Sequence, residues 1–433
     1  MDRAYGEVMA DLLALSARLI DEGDDGTPPN RVTTELSEVT EDFAVIEAFS
    51  HVVVVRTGEG PVIADTSSQA FGAAVVKSLR AWTDEPVHTL LYTHGHIDHV
   101  GGAGAFVADA AGRGDPAPRV VGHEKVLERF DRYDLTNGYN GIINQRQFGN
   151  RGRLGMGEPK WFSDWVRPDK TFRDTLDLDV GGVHFEFHHD KGETDDHLWG
   201  WLPEQRAILA GDFLTWVFPN AGNPQKVQRF PREWAVALRA MAEKRPELLL
   251  PAHGLPIGGA DRIARVLDDV AGALESLVAR TLELMNAGER LDRIVHEVRL
   301  PEELLAKPYL RPIYDEPEFV VRNIWRLYGG WYDGNPSHMK PAPDAVLAAE
   351  LASLAGGATA LAARARELVA DRPQLAAQLV EWAAQAAGHD PSIHEVRADV
   401  YEAVRKGELS LMSKGIYGAA ARDSREISGK LEP

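Results

Sequence analysis

Two hydrophobic rhythms divide this 433-residue sequence, and the change between them near Gly259 restricts its fold more than any other feature. From about Thr33 to His253 the apolar residues come in short runs: Val52-Val53-Val54-Val55, Val62-Ile63-Ala64, Thr89-Leu90-Leu91-Tyr92, Val183-His184-Phe185-Glu186-Phe187, Leu198-Trp199-Gly200-Trp201-Leu202 and Ala207-Ile208-Leu209-Ala210. With helical stretches such as Gln69–Trp82 between them, these runs read as strands of a layered αβ domain. After Gly259 the strands stop. Residues 261–287 carry Ile263, Val266, Leu267, Val270, Leu274, Leu277 and Val278 near helical spacing, closed by Asn286-Ala287-Gly288. Further helices are expected over 289–299, 301–306 and 315–328, then in an alanine-rich tail over 343–355, 358–371, 373–387, 391–405 and 408–423. Met9, Leu12, Leu13, Leu15 and Leu19 predict a helix within residues 7–22. The expected organisation is a helical arm (1–32), an α+β domain (33–260) and an all-α domain (261–433), since a chain this long exceeds what one core supports.

The chemistry concentrates in Thr93-His94-Gly95-His96-Ile97-Asp98-His99, directly after an apolar run. A lone histidine is more often a packed or solvated side chain than a ligand. Three within seven residues, with an aspartate, reverse that reading. In a tight strand-to-helix turn, alternation aims His94 and His96 at one ion and Asp98 and His99 at another. The sequence has no cysteine, so any metal must be held by His, Asp and Glu, and disulfides are excluded. Two metals imply hydrolysis.

His-x-His-x-Asp-His between an apolar strand and Gly101-Gly102 resembles the signature of the metallo-β-lactamase superfamily. That resemblance implies a four-layer αββα sandwich with two metals at one end of the sheets. It further implies that Asp212, ending Ala207-Ile208-Leu209-Ala210-Gly211-Asp212, is the carboxylate between the metals, and that His253 in Leu250-Pro251-Ala252-His253-Gly254 is the last histidine. The remaining ligand lies within Gly192-Glu193-Thr194-Asp195-Asp196-His197. Counting back from Leu202-Pro203-Glu204 favours Glu193, and the alkylsulfatase branch likewise has a glutamate there. His197 stays open as the alternative ligand; otherwise it, Asp195 and Asp196 would orient a ligand from behind. The implied metal set is His94, His96, Asp98, His99, Glu193, Asp212 and His253, with Asp98 and Asp212 as the catalytic carboxylates. Two zinc ions per chain are expected, although carboxylate-rich ligation also suits iron or manganese.

Pro308-Tyr309-Leu310 and the run from Phe319 to Pro336 resemble the dimerisation domain of alkylsulfatases of this fold, and the likeness extends over roughly residues 261–420. The two resemblances together imply a homodimeric hydrolase of alkyl sulfate esters or a related anionic ester. The further lipid-carrier-like domain of those sulfatases is not expected in this sequence. Two departures stand out. The branch carries a leaving-group histidine after the bridging carboxylate, whereas residues 213–252 contain none, and the bridging residue is Asp212 rather than glutamate. Asn223, Lys226 and Arg229, with Arg146 from an earlier segment, are the candidates for holding the substrate anion; otherwise they belong to solvated loops. Trp161, Phe162, Trp165, Trp216 and Phe218 are candidates for an apolar pocket or for caps on the core. Hydrolysis of a phosphoester, lactone or lactam uses the same core and is the competing reading. A helical scaffold with a structural metal site is the non-catalytic one.

The formal charge of -19 disfavours nucleic acid as a partner. No apolar run approaches the ~20 residues of a membrane span, and the acidic N-terminus has no signal-peptide pattern, so the expected location is the cytoplasm.

Overall fold

The computed structural model describes residues 11–23, 26–148 and 161–430. The first sheet begins as an antiparallel meander of β1 (Leu36–Glu38), β2 (Phe43–Ile46), β3 (Val52–Val55) and β4 (Val62–Ala64). It continues in parallel through β5 (Thr89–Leu91), β6 (Arg119–His123) and β7 (Lys170–Phe172). The second sheet runs antiparallel through β8 (Thr175–Val180), β9 (Val183–His189), β10 (Leu198–Leu202) and β11 (Ala207–Gly211). There β12 (Leu248–Pro251) joins β11 in parallel, and β13 (Ile257–Gly258) closes the edge.

The all-valine strand β3 shows why these runs are unbroken. Val53 and Val55 enter the core shared with Phe185 and Phe187 of the facing sheet. Val52 and Val54 face the opposite way, into a second core with Val75 and Leu79 of α2 (Gln69–Trp82). A strand covered on both faces has no solvent side and needs no polar alternation. The first sheet's outer face is covered by α2, by α4 (Ala103–Arg113) beyond the single turn α3 (Ile97–Val100), and by α5 (Lys125–Leu135). Next comes α6 (Asn137–Phe148). The second sheet is covered by α7 (Pro231–Glu243) and α8 (Ala260–Asn286), which pack on one another. This is the expected αββα sandwich.

Helix α8 starts one residue before the expected 261, yet its buried face, Ile263 through Leu284, belongs to the sandwich core. The helical arm is likewise docked rather than free: α1 (Leu12–Glu22) lies against β13, with Asp21 paired to Arg262 and Arg265 of α8. The part of the predicted first helix before residue 11 lies outside the described residues.

Beyond α8 the regular elements among the described residues are helices: α9 (Leu291–Glu297), α10 (Glu302–Leu305), α11 (Pro317–Gly329), α12 (Asp344–Ala355), α13 (Ala358–Leu368), α14 (Pro373–Ala386), α15 (Pro391–Gly407) and α16 (Leu411–Ser428). Helices α12 to α16 enclose small cores of their own, rich in alanine because closely spaced helix axes leave room for little else. Among the described residues no single helix is long and apolar enough to cross a membrane.

The last helix returns to the sandwich. α16 packs on α6 so closely that a Cβ on Gly415 would overlap the carbonyl of Gln147. Gly415→Ala is therefore expected to cost about 1–3 kcal/mol, the usual penalty of an overpacked contact, and to lower the first melting transition by several degrees. Scanning calorimetry with unchanged melting would contradict this packing.

Candidate metal centre

Asp65 follows β4, Thr93–His99 follows β5, Asp212 follows β11 and His253 follows β12. All four loops thus leave the carboxyl ends of parallel-paired strands, the end at which open αβ sheets assemble their sites. Glu193 arrives from the β9–β10 connection. Backbone hydrogen bonds stitch the two sheets together here: Leu198 N–H donates to the Thr93 carbonyl (2.8 Å) and His51 N–H to that of Ala252 (2.6 Å).

The predicted ligands meet around Asp212, whose two oxygens face different neighbours. Oδ2 lies 3.9 Å from His94 Nε2 and 3.3 Å from His99 Nε2, while Oδ1 lies 3.7 Å from His253 Nε2. On one side His96 Nδ1 sits 2.8 Å from His94 Nε2 and 3.5 Å from Glu193 Oε1. On the other, Asp98 Oδ2 is 3.4 Å from His253 Nε2 and 3.7 Å from His99 Nε2. Donor atoms of His94, His99 and Asp212 lie within 4.8 Å of one another, as do those of Asp98, His99 and His253. His94 and His99 are sealed from solvent, whereas His96, Asp98 and His253 keep 15–22% of their side chains exposed and form the open face.

The electrostatics fit cations at this spot. Burial, reinforced by the neighbouring His99, His197 and His96, holds His94 well below the usual histidine range, so it presents a neutral ring with a free lone pair. Burial and the Arg229 charge do the same to His96. Burial would also depress His99, but the carboxylates of Asp212, Asp65 and Asp98 outweigh it and hold the ring well above its normal range. Burial, aided by Asp212 and Asp98, pushes Glu193 up to about 7 despite Arg229. Four acidic groups are thus crowded into a site where buried His99 Nε2 and Asp212 Oδ1 make no hydrogen bond among the described residues. Nitrogen and oxygen donors left unpaired among surplus negative charge suit a pair of divalent ions.

Behind these groups stands a set of orienting partners. Asp65 accepts from Thr93 N–H (2.8 Å), Thr93 Oγ1 (2.8 Å) and His99 Nδ1 (2.8 Å). A carboxylate can only accept, so Nδ1 carries the proton and Nε2 is turned toward Asp212. Asp196 accepts from Gly95 N–H (2.9 Å) and from Arg129 Nε (2.8 Å), which fixes the turn between His94 and His96. His197, the alternative ligand, is engaged elsewhere: its Nε2 accepts from Asp212 N–H (3.1 Å) and its ring stacks on Phe213. Glu193, not His197, has its side-chain donor atom beside His96. His188 stacks on Trp199, and His189 on His123.

The four residues expected to hold an anion are placed unequally. Asn223 is buried, with Nδ2 unpaired among the described residues. Lys226 Nζ contacts Asn144 Oδ1 (3.2 Å) and lies over the Trp161 ring. Arg229 is not free to act as a clamp: its guanidinium donates to the Glu193 carbonyl and sits 3.0 Å from Glu193 Oε1. Arg146, on α6, bonds Gln225 Oε1 (3.2 Å) at the surface. Trp216 and Phe218 are fully buried core residues rather than pocket walls, and Trp165 stacks on Phe130. Asp65, Arg129, Asn220 and Tyr314 were not singled out from the sequence. Asn220 Nδ2 donates to Glu193 Oε1, and Tyr314 OH, half-buried, accepts from Gln147 Nε2 (3.2 Å). Only the Asp65 position, at the end of an apolar strand, carries a local sequence signal.

Comparison with known proteins agrees with the fold. The metallo-beta-lactamase superfamily description matches residues 45–253, and the alkyl sulfatase dimerisation description matches residues 290–426. A linear primary-alkylsulfatase from a Pseudomonas species is 27% identical over 409 residues, covering 90% of this chain and 74% of that protein. An (R)-specific secondary-alkylsulfatase from Pseudomonas is 26% identical over 406 residues, covering 87% and 60%. An alkyl/aryl-sulfatase of Saccharomyces cerevisiae is 24% identical, covering 71% of this chain and only 51% of its own length. The solved structure of a stereoselective inverting sec-alkylsulfatase from Pseudomonas superposes with a TM-score of 0.80 at 22% identity, covering all of this chain and 72% of that one. Residues 45–253 thus form a metallo-beta-lactamase superfamily domain and residues 290–426 an alkyl sulfatase dimerisation domain.

Proposed function

We propose that this protein is a metal-dependent hydrolase of alkyl sulfate esters that works with two zinc ions per chain as a homodimer. The observation that carries the reading is Asp212, whose two carboxylate oxygens are turned toward different sets of nitrogen donors. His94, His96 and Glu193 would complete one metal position, and Asp98, His99 and His253 the other, with Asp212 common to both. Metals held there would supply Lewis acidity, making water nucleophilic near neutral pH and offsetting negative charge on the ester. The relatives named as alkylsulfatases support the ester class, and the match over 290–426 supports dimerisation.

The protein's own groups account for binding and orientation. The open face formed by His96, Asp98 and His253 is where an ester can approach. Asn223 Nδ2, a buried donor without a partner among the described residues, and the Lys226 ammonium are suited to sulfate oxygens. Whether carbon or sulfur is attacked, negative charge accumulates on the oxygen that departs, and Lys226 offsets it. Lys226 thereby takes the place of the branch histidine that residues 213–252 lack. Arg229 instead steadies Glu193.

Chelation is expected to abolish turnover of medium-chain alkyl sulfates, with recovery on adding zinc. Full activity in a His94→Ala/His96→Ala variant, or turnover of phosphoesters or lactones with none of alkyl sulfates, would contradict the reading. Light scattering at micromolar concentration is expected to give twice the chain mass.

A pH dependence also follows from Lys226. Burial, with Arg229 nearby, pushes its ammonium down to about 7 against the opposing pull of Glu193 and Asp98. The depressed pKa means charge below about pH 7 and a neutral amine above it. KM for an alkyl sulfate should therefore rise as pH passes 7. In Lys226→Arg, whose guanidinium stays charged, the rise should disappear; an identical pH profile in that variant would exclude Lys226 as the anion's partner.

A further inference from the structure

The loop between β11 and α7 carries Asn220, Asn223, Lys226 and Arg229, yet it is held in place chiefly by the helical half of the chain. Asn323, on α11 and only 4% exposed, grips both ends of the loop with one amide. Its Nδ2 donates to the carbonyls of Ala221 (2.9 Å) and Arg229 (3.0 Å), and its Oδ1 accepts from Arg229 N–H (3.4 Å) and Gln228 Nε2 (2.9 Å). Just before α11, the fully buried Asp315 accepts from the N–H groups of Gly222 (2.6 Å) and Asn223 (3.1 Å). A Cβ on Gly222 would overlap the backbone of Phe319 and Val320, so the loop lies directly on the helix.

The grip extends into the metal centre. Arg229, itself buried, spans from the Asn323 amide to Glu193, contacting both its carbonyl and its carboxylate. An asparagine whose donors and acceptor are all used against buried backbone is costly to replace, because each partner is then left without a hydrogen bond. Asn323, Arg229 and Glu193 form one continuous polar chain from the helical domain to the ligand set.

We propose that Asn323 is a positioning residue for the metal position shared by His94, His96 and Glu193, acting from the helical domain through Arg229. The proposal rests on the reading of Glu193 as a ligand. It makes the helical domain a component of the metal centre as well as a dimerisation element.

The test is metal binding by the full chain, stripped and reloaded with zinc for calorimetry or with cobalt(II) for absorption spectroscopy. The wild type is expected to bind two equivalents, and Glu193→Ala to lose or greatly weaken one. Asn323→Leu should weaken that same equivalent by about 10–100-fold, as removal of an orienting partner does, alter the cobalt spectrum and leave the other equivalent unchanged. In an Arg229→Met background, Asn323→Leu should add less than about twofold, because groups acting through one another are not additive. Should Asn323→Leu not fold, as judged by circular dichroism, Asn323→Asp serves: it keeps the acceptor, loses both donations and should weaken the same equivalent. Unchanged affinities in the folded Asn323 variant, equal weakening of both equivalents, or an undiminished effect without Arg229 would overturn the proposal. Two unperturbed equivalents in Glu193→Ala would instead overturn the ligand assignment on which it stands.

Discussion

The organisation of this protein depends on keeping carboxylates close together at a largely buried site, where Asp212 Oδ1 finds no hydrogen-bond donor among the described residues. Asp65, Asp98, Glu193 and Asp212 crowd around four histidines at the carboxyl ends of parallel strands. Removing such groups from water is costly unless opposite charge accompanies them. Part of that charge comes from Arg229 at Glu193 and Arg129 at Asp196. What remains is a demand for cations, and the two sheets are bonded to each other where that demand is greatest, at Thr93 and Ala252.

Several parts of the fold whose burial is uniform were legible in the sequence. Helix α2 has the predicted limits Gln69–Trp82, and β3, β4 and β10 occupy the predicted runs, because unbroken apolar stretches report a strand covered on both faces. Strands β1, β2, β6, β7, β8 and β13 were not expected, and for β1, β7 and β8 the reason is the converse one. These three lie at or near sheet edges, and Thr175-Leu176-Asp177-Leu178-Asp179-Val180 exposes every second residue, so its apolar content is diluted. The helical tail was legible in its sequence of helices. That α8 belongs by packing to the sandwich was not, since an amphipathic helix does not reveal in sequence which surface will cover it.

The candidate site divides along a similar line. Residues clustered in sequence, His94 to His99, announce themselves, and Glu193, Asp212 and His253 can be located from strand ends and family resemblance. Groups that act by position alone do not. Arg129 reaches Asp196 across 67 residues, Asp65 reaches His99 across 34, and Asn323 reaches Arg229 across 94. Arg229 shows the hazard of inferring a role from residue type. A guanidinium in a loop after the bridging carboxylate suggests substrate anion, yet folding spends it on a carboxylate of the protein itself.

Asp65 also sits at φ +61°, and Ser67 two residues on at φ +60°. Residues with side chains seldom occupy this left-handed region, and holding one there costs on the order of 1–3 kcal/mol. A glycine at position 65 would relieve the backbone but remove the carboxylate that orients His99. Backbone ease and the orientation of His99 thus make opposite demands on position 65: the strain is held where the carboxylate reaches His99 Nδ1 at 2.8 Å.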